Sequence, residues 1–282
     1  MKRILVGLLG VALALPASAG NSARAVRKTV EASMQVTGEV VIAPDGELQS
    51  YTIDGQEKLS ADVNKLLARY LPSCVFDVVT ASGKPETVKA KMSLQLIVRQ
   101  TDDGGATMSV GDGVFTDPDM PRYVTARKLA PPTYPMSAWQ SGMTGIVYVD
   151  LRLNLDGTVA EAHAERVDMT VVGSENELEL ARSTLAKAAL AKAKSWTFEI
   201  APQQLAMPGP VSVRVPVQYS LWDRLTKPAP KYGVWQQYVP GPYAPIPWQQ
   251  RSANSGIGAM APGQLYPLDE TIRLRNPASA GS

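Results

Sequence analysis

The sequence predicts an α+β protein: two small antiparallel sheets in tandem, each with one packed helix, followed by a proline- and aromatic-rich tail. Three observations predict it. Apolar and polar residues alternate on both sides of two Asp-Gly turns, Asp45-Gly46 and Asp156-Gly157, which is the pattern of half-buried hairpin strands. Each hairpin is followed by apolar residues at helical spacing behind a serine suited to an N-cap, Ser60 in one case and Ser174 in the other. Each helix then gives way to another alternating run, Val88 to Leu96 and Val211 to Tyr219.

The chain opens with Lys2 and Arg3, an apolar run from Ile4 to Leu15, and Pro16-Ala17-Ser18-Ala19 ahead of Gly20. A basic start, a short apolar stretch and an Ala-x-Ala site predict a secretory signal peptide over residues 1–19. The apolar run is shorter than the roughly 18 residues that a membrane span needs, although a retained anchor is the rival reading. With the leader removed, no stable membrane span and no lipid-bearing cysteine are expected, so the product is placed in the periplasm. The leader carries two basic and no acidic residues, which leaves 28 − 2 = 26 basic against 26 acidic side chains. A neutral chain lacks the footprint of a nucleic-acid binder. Cys74 is the only cysteine, so an intramolecular disulfide is excluded.

Residues 20–33 read as an N-terminal arm, helix-compatible or disordered. The first α+β unit spans 34–115. In it Met34, Val36, Gly38, Val40 and Ile42 share one face of a strand, Glu47 to Ile53 returns from the turn, and Val63, Leu66, Leu67, Tyr70 and Leu71 line a helix that Pro72 stops. Asp102-Asp103-Gly104-Gly105 turns the chain into a short strand, Ala106 to Val110. Residues 116–130 read as a connector. Its aspartates and those just before it do not follow the spacing of a calcium loop, so they are assigned to turns.

The second unit spans 131–222. It begins Pro131-Pro132-Thr133-Tyr134-Pro135 and continues through an alternating run from Gly145 to Leu155, the Asp156-Gly157 turn and a capping box, Ser174-Glu175-Asn176-Glu177. Leu178, Ala181, Leu185 and Ala188 are expected on the inner face of its helix. Trp196-Thr197-Phe198 then leads to the last strand. This order of motifs resembles the C-terminal domain of the TonB family. Aligning the two Asp-Gly turns sets Cys74-Val75-Phe76 against Trp196-Thr197-Phe198, which points to a diverged second copy of the domain in the first unit. Trp196, Phe198 and Cys74 are expected in the cores.

The resemblance implies a non-enzymatic protein-interaction module of the cell envelope that takes part in transport. In the family, the segment around tyrosine-proline helps to grip a short strand of an outer-membrane transporter, which here singles out Pro132, Thr133, Tyr134 and Pro135. Pro216 cannot donate a ladder hydrogen bond, so the outer side of the last strand is expected to be an open edge that accepts a partner strand. Three departures separate this chain from the family's energy transducers. The leader lacks a histidine-bearing membrane helix, no Pro-Lys spacer precedes the domain, and Pro131 stands where a glutamine is frequent.

Candidate chemistry is sparse. His163 is the sole histidine, and alternation sets it on a polar face with Glu161 and Glu165, so it reads as a surface residue rather than a base or metal ligand. No phosphate loop, nucleophile motif or metal-ligand spacing occurs, and no cofactor is expected. The tail, residues 223–282, holds nine of the 22 prolines together with Trp235 and Trp248, and it reads as extended or disordered. Those two tryptophans are candidate contacts. They underlie the alternative reading, a structural or cell-wall-associated protein whose tail aromatics stack on glycan or pack on a partner.

Overall fold

Both Asp-Gly turns meet the same steric demand. Gly46 and Gly157 have φ of 90° and 80°, and a Cβ on either would lie 2.1 Å from the Phe76 carbonyl oxygen or 1.9 Å from that of Phe198. Only glycine fits there. Asp45 Oδ1 accepts from the Glu47 amide and Asp156 Oδ1 from the Thr158 amide. The turn carbonyls of Gly46 and Gly157 accept from the amides of Phe76 at 2.8 Å and Phe198 at 2.9 Å. Each turn is thereby stitched to the strand that follows the helix.

These bonds belong to a computed structural model that describes residues 26–78, 84–101, 103, 105–118, 124–202, 211–221, 232–248, 257–268 and 272–275. The leader lies outside them. The structure is a mixed α+β arrangement of small antiparallel sheets. Its first sheet contains β1 (Glu31–Ile42), β2 (Leu48–Ile53), β4 (Val88–Gln100) and β5 (Ala106–Thr116), with β1 paired to β2 and β4, and β5 paired to β4. Helix α1 (Ala61–Tyr70) is capped by Ser60, whose side chain accepts from the Val63 amide, and leads to β3 (Phe76–Val78). Val36, Val40, Ile42, Leu67, Cys74, Phe76, Leu94 and Leu96 form its core.

The second sheet has β7 (Gly145–Leu153) between β8 (Val159–Met169) and β10 (Val211–Tyr219). Helix α2 (Met136–Gln140) precedes it. Helix α3 (Glu175–Ala193) opens on the complete Ser174–Glu177 capping box and packs on one face of the sheet. Val147, Val149, Leu151, Leu185, Trp196, Phe198 and Val213 are buried together there. The inner helix face is Leu178, Ala181, Leu185, Ala189 and Ala193, so Ala189 takes the place expected of Ala188, which is only partly buried.

Three expectations need correction. Strand β1 starts at Glu31 rather than Met34, because Glu31, Ala32 and Ser33 are held on both sides, by β4 and by the tail strand β11 (Gln236–Tyr238). Alternation within one strand cannot report a partner two hundred residues away. The connector contains a strand, β6 (Val124–Lys128), paired with β9 (Thr197–Ile200). Its side chains after Val124 are exposed, so it carries little hydrophobic signal. Strand β5 runs on past Val110 through Gly111-Asp112-Gly113 to Thr116, with a register shift opposite Leu94–Leu96.

Replacing Trp196 by alanine removes a buried ring and the bond from its Nε1 to the Ala130 carbonyl at 2.7 Å. The expected loss is about 3–5 kcal/mol in chemical denaturation. Gly157→Ala forces a side chain into the left-handed region, at about 1–3 kcal/mol, and against the Phe198 carbonyl oxygen, which adds to that loss; a wild-type midpoint would contradict the assigned turn.

Candidate functional site

Strand β10 positions the candidate site. Along one side all nine of its residues are registered against β7. On the other side, Val213 and Arg214 lie opposite Pro267 and Tyr266 of the tail strand β12 (Tyr266–Pro267). The Pro216 carbonyl accepts from the Gly263 amide at 2.8 Å and the Ser212 carbonyl from Leu268 at 3.0 Å. Pro216 therefore turns its donor-free side to the outer edge, as its chemistry requires. The edge expected to be open is instead occupied by the chain's own tail.

The opposite edge of the sheet is covered in the same way. Met169 of β8 and Val239 exchange both backbone hydrogen bonds, at 3.0 and 2.7 Å, and the Ala244 amide donates to the Glu165 carbonyl at 2.7 Å. Arg182 of α3 reaches the Val167 and Pro240 carbonyls from the side. Farther along, residues 257–259 lie on the first sheet, where the Ala259 carbonyl accepts from Gln35 and Ser93 and the Gly258 amide donates to Asp112. A last tail strand, β13 (Ile272–Leu274), pairs with β3. Of the tail expected to be extended or disordered, the described residues 232–248, 257–268 and 272–275 pair with edges of both sheets.

Beneath the tail, on the sheet face away from α3, lies a buried ionic layer. Arg214, only 1% exposed, donates from Nε to Asp150 Oδ1 at 2.6 Å and from Nη2 to Glu165. Arg166 donates to Asp168 Oδ2 at 2.8 Å and to the Tyr243 hydroxyl at 2.7 Å, and its guanidinium lies between the Tyr148 and Tyr243 rings. The Gly241 amide donates to the other Asp168 oxygen. The register shift between Tyr148 and Val149 makes Glu165 an extra residue, so that Glu165 and Arg166 both serve this layer while Val167 and Met169 enter the core. Burial pushes the Asp150 carboxyl up to about 6 against the opposing pull of the Arg214 guanidinium. Burial likewise raises Asp168.

The structure revises the reading of the polar strand face. Glu161 does remain at the surface beside Arg152, but Glu165 is buried and His163 is partly covered, its Nε2 3.0 Å from the Ala244 carbonyl. The alternation was read correctly, and the covering tail, remote in sequence, changes what the face meets. Trp248 sits edge-on to His163 with ring centroids 6.3 Å apart, and Trp235 packs against the core of the first unit. Both tryptophans are partly covered by the protein's own residues. Cys74 is buried beside the Tyr70 carbonyl, and burial pushes its thiol up to about 11, which keeps it protonated.

Pro132, Thr133, Tyr134 and Pro135 form an extended lead-in to α2, with Thr133 exposed and the other three half-buried. The Tyr134 hydroxyl donates to the Met143 carbonyl at 2.5 Å, and its ring stands edge-on to Tyr219 at the end of β10, 5.4 Å between centroids. Tyr134 thus braces the end of β10. Elsewhere, a cleft of about 950 Å³ lies between the start of β1 and the start of α3. Its acidic groups are already engaged, Glu31 with Arg99 and Tyr238, and Glu177 with Ser174. No described helix is long and apolar enough to cross a membrane.

Two outcomes test the ionic layer. Arg214→Met strands two buried carboxylates and should cost about 3–5 kcal/mol, measured by denaturation at neutral pH. Because the folded-state pKa of Asp150 lies above its unfolded value, its contribution is fully present below about pH 4 and is lost as the pH rises through about 6. Asp150→Asn should flatten that part of the stability profile, and an unchanged slope would contradict the assignment.

No match was found among characterised proteins or solved structures. Residues 130–221, which carry Tyr134-Pro135, the Asp156-Gly157 hairpin, α3, Trp196 and β10, match the family model of the Gram-negative bacterial TonB protein C-terminal domain.

Proposed function

We propose that the protein is a periplasmic interaction module that captures an extended strand of an envelope partner, an outer-membrane transporter being the kind of partner the family suggests, along the outer edge of β10. One observation carries this reading: that edge takes an added antiparallel strand, Tyr266–Pro267, with the Pro216 carbonyl turned toward it. Each backbone bond gained contributes about 0.5–1.5 kcal/mol net, so useful affinity needs side-chain contacts as well. Pro132, Thr133, Tyr134 and Pro135 are assigned to this support, Tyr134 through its brace on Tyr219.

We further infer that residues 34–115 are a diverged copy of the same domain. The paired turn glycines, the Asp-to-amide bonds and the Gly-to-Phe bonds support duplication, because each recurs at the aligned position. In this copy β5 occupies the place that β12 holds beside β10. On this reading the first copy serves as a scaffold with its slot permanently filled, and recognition belongs to the second.

The function is tested with a photo-crosslinking residue at Gln218, an exposed position of β10, in the exported full-length chain. Crosslinks to an outer-membrane protein are expected. Crosslinks confined to peptidoglycan would instead favour a cell-wall role and overturn the transport reading.

A further inference from the structure

We propose that the outer edge of β6 is a docking edge for an acidic, extended segment of an envelope protein. The inference is separate from the β10 reading, because a strand added at β6 leaves the tail where it is, and β6 lies ahead of the residues 130–221 that match the family. It starts from a strand that buries only its first side chain. After Val124, the residues Thr125, Ala126, Arg127 and Lys128 are all exposed, and β6 is paired with β9 alone. Alternate residues of such a strand turn their amides and carbonyls away from the partner. Among the described residues, no strand pairs with that outer side. The tail fills part of the other borders of this unit, with Tyr266–Pro267 on β10 and Val239 and Ala244 on β8.

Charge selects the occupant. Arg127 and Lys128 stand on the edge strand itself, and the register sets Lys128 opposite Thr197, three residues after Lys194 at the end of α3. The 2.7 Å bond from Trp196 Nε1 to the Ala130 carbonyl ties the two stretches together. Among the described residues, Arg127, Lys128, Lys192 and Lys194 have no ion-pair partner. Two acids lie on the neighbouring segments: Glu199, opposite Thr125, and Asp156, which Thr158 engages. The surface around the edge therefore keeps an excess of positive charge.

The helix dipole accounts for cations at the end of α3, but not for Arg127 and Lys128, which lie on a different element. Cations on an open edge discourage pairing with like strands, and the same charge favours a strand that carries aspartate or glutamate. An anionic lipid surface would use the charge without the unpaired backbone. Both occur on one edge here, which favours strand addition by an acidic segment. With only five residues in β6 the backbone offers few bonds, so charge supplies much of the affinity and binding should weaken as salt rises.

The test uses the full-length chain and a synthetic peptide that alternates glutamate with threonine and has blocked ends. Adding it should shift the backbone amide resonances of Thr125 to Lys128 and leave those of Gly263 and Leu268 in place. The double charge reversal Arg127→Glu with Lys128→Glu should weaken binding about tenfold, with the melting temperature unchanged because both side chains are exposed. Lys192→Glu with Lys194→Glu, on the separate helix end, should weaken it in the same direction. Methylating every peptide nitrogen, which blocks backbone pairing and keeps every charge, should abolish binding. Equal binding of the methylated peptide would show that charge alone is read and would overturn strand docking, as would binding of phosphatidylglycerol vesicles without binding of the peptide. Shifts confined to β10 and the tail beside it would assign the peptide to the other edge and overturn the assignment to β6, whereas failure at β6 alone leaves the β10 reading standing.

Discussion

Unpaired strand edges are the constraint on which the rest of this structure depends. A small sheet leaves rows of amides and carbonyls at its borders, and those groups must be hydrated, paired or covered. In the second sheet the chain pairs both borders itself, Val239 on β8 and Tyr266–Pro267 on β10. Because the same segment also adds β11 to β1 and β13 to β3, satisfying the edges joins the two units. The ionic layer follows from this arrangement, since a polar sheet face becomes an interior only when something lies across it.

That layer is held together by its own charges. Arg214 between Asp150 and Glu165 is an arrangement in which removing one member costs more than the group contributes when intact. Such a layer fixes geometry at modest net gain. It positions the tail through the Gly241 amide on Asp168 and the Tyr243 hydroxyl on Arg166, alongside the apolar contacts of the buried Val239, Ile246, Ile257, Ala259 and Met260. Tyr134 acts at the other end of β10, where its brace on Tyr219 and the Met143 carbonyl keeps the strand end fixed.

Much of the fold was legible because local chemistry announces it. The Asp-Gly turns, the Ser60 and Ser174 caps and the alternation around Val147 and Val213 each determine structure within a few residues. The tyrosine-proline, Asp-Gly and Trp-x-Phe motifs carried the family relationship on the same basis. What was not legible depends on contacts distant in sequence. Nothing in the period of β1 reveals that Glu31–Ser33 will meet residues 236–238, and the Glu165 insertion opposite Tyr148 hides the change of face that buries Arg166 and Asp168. The β10 edge illustrates both cases. Pro216 marked it correctly as outward-facing, while its occupation by Tyr266–Pro267 lay in a segment without periodicity.

The most direct test of this account is the dipolar contact between the Val213 and Pro267 Hα protons in solution. Antiparallel pairs that lack reciprocal hydrogen bonds bring their Cα atoms to about 4.5 Å, and Pro267 has no amide to form such a bond. The account predicts a strong Val213–Pro267 contact in the full-length chain, accompanied by slowed exchange at Gly263 and Leu268. Absence of that contact, with both amides exchanging at unprotected rates, would show a bare β10 edge and contradict the claim that the chain pairs that edge itself.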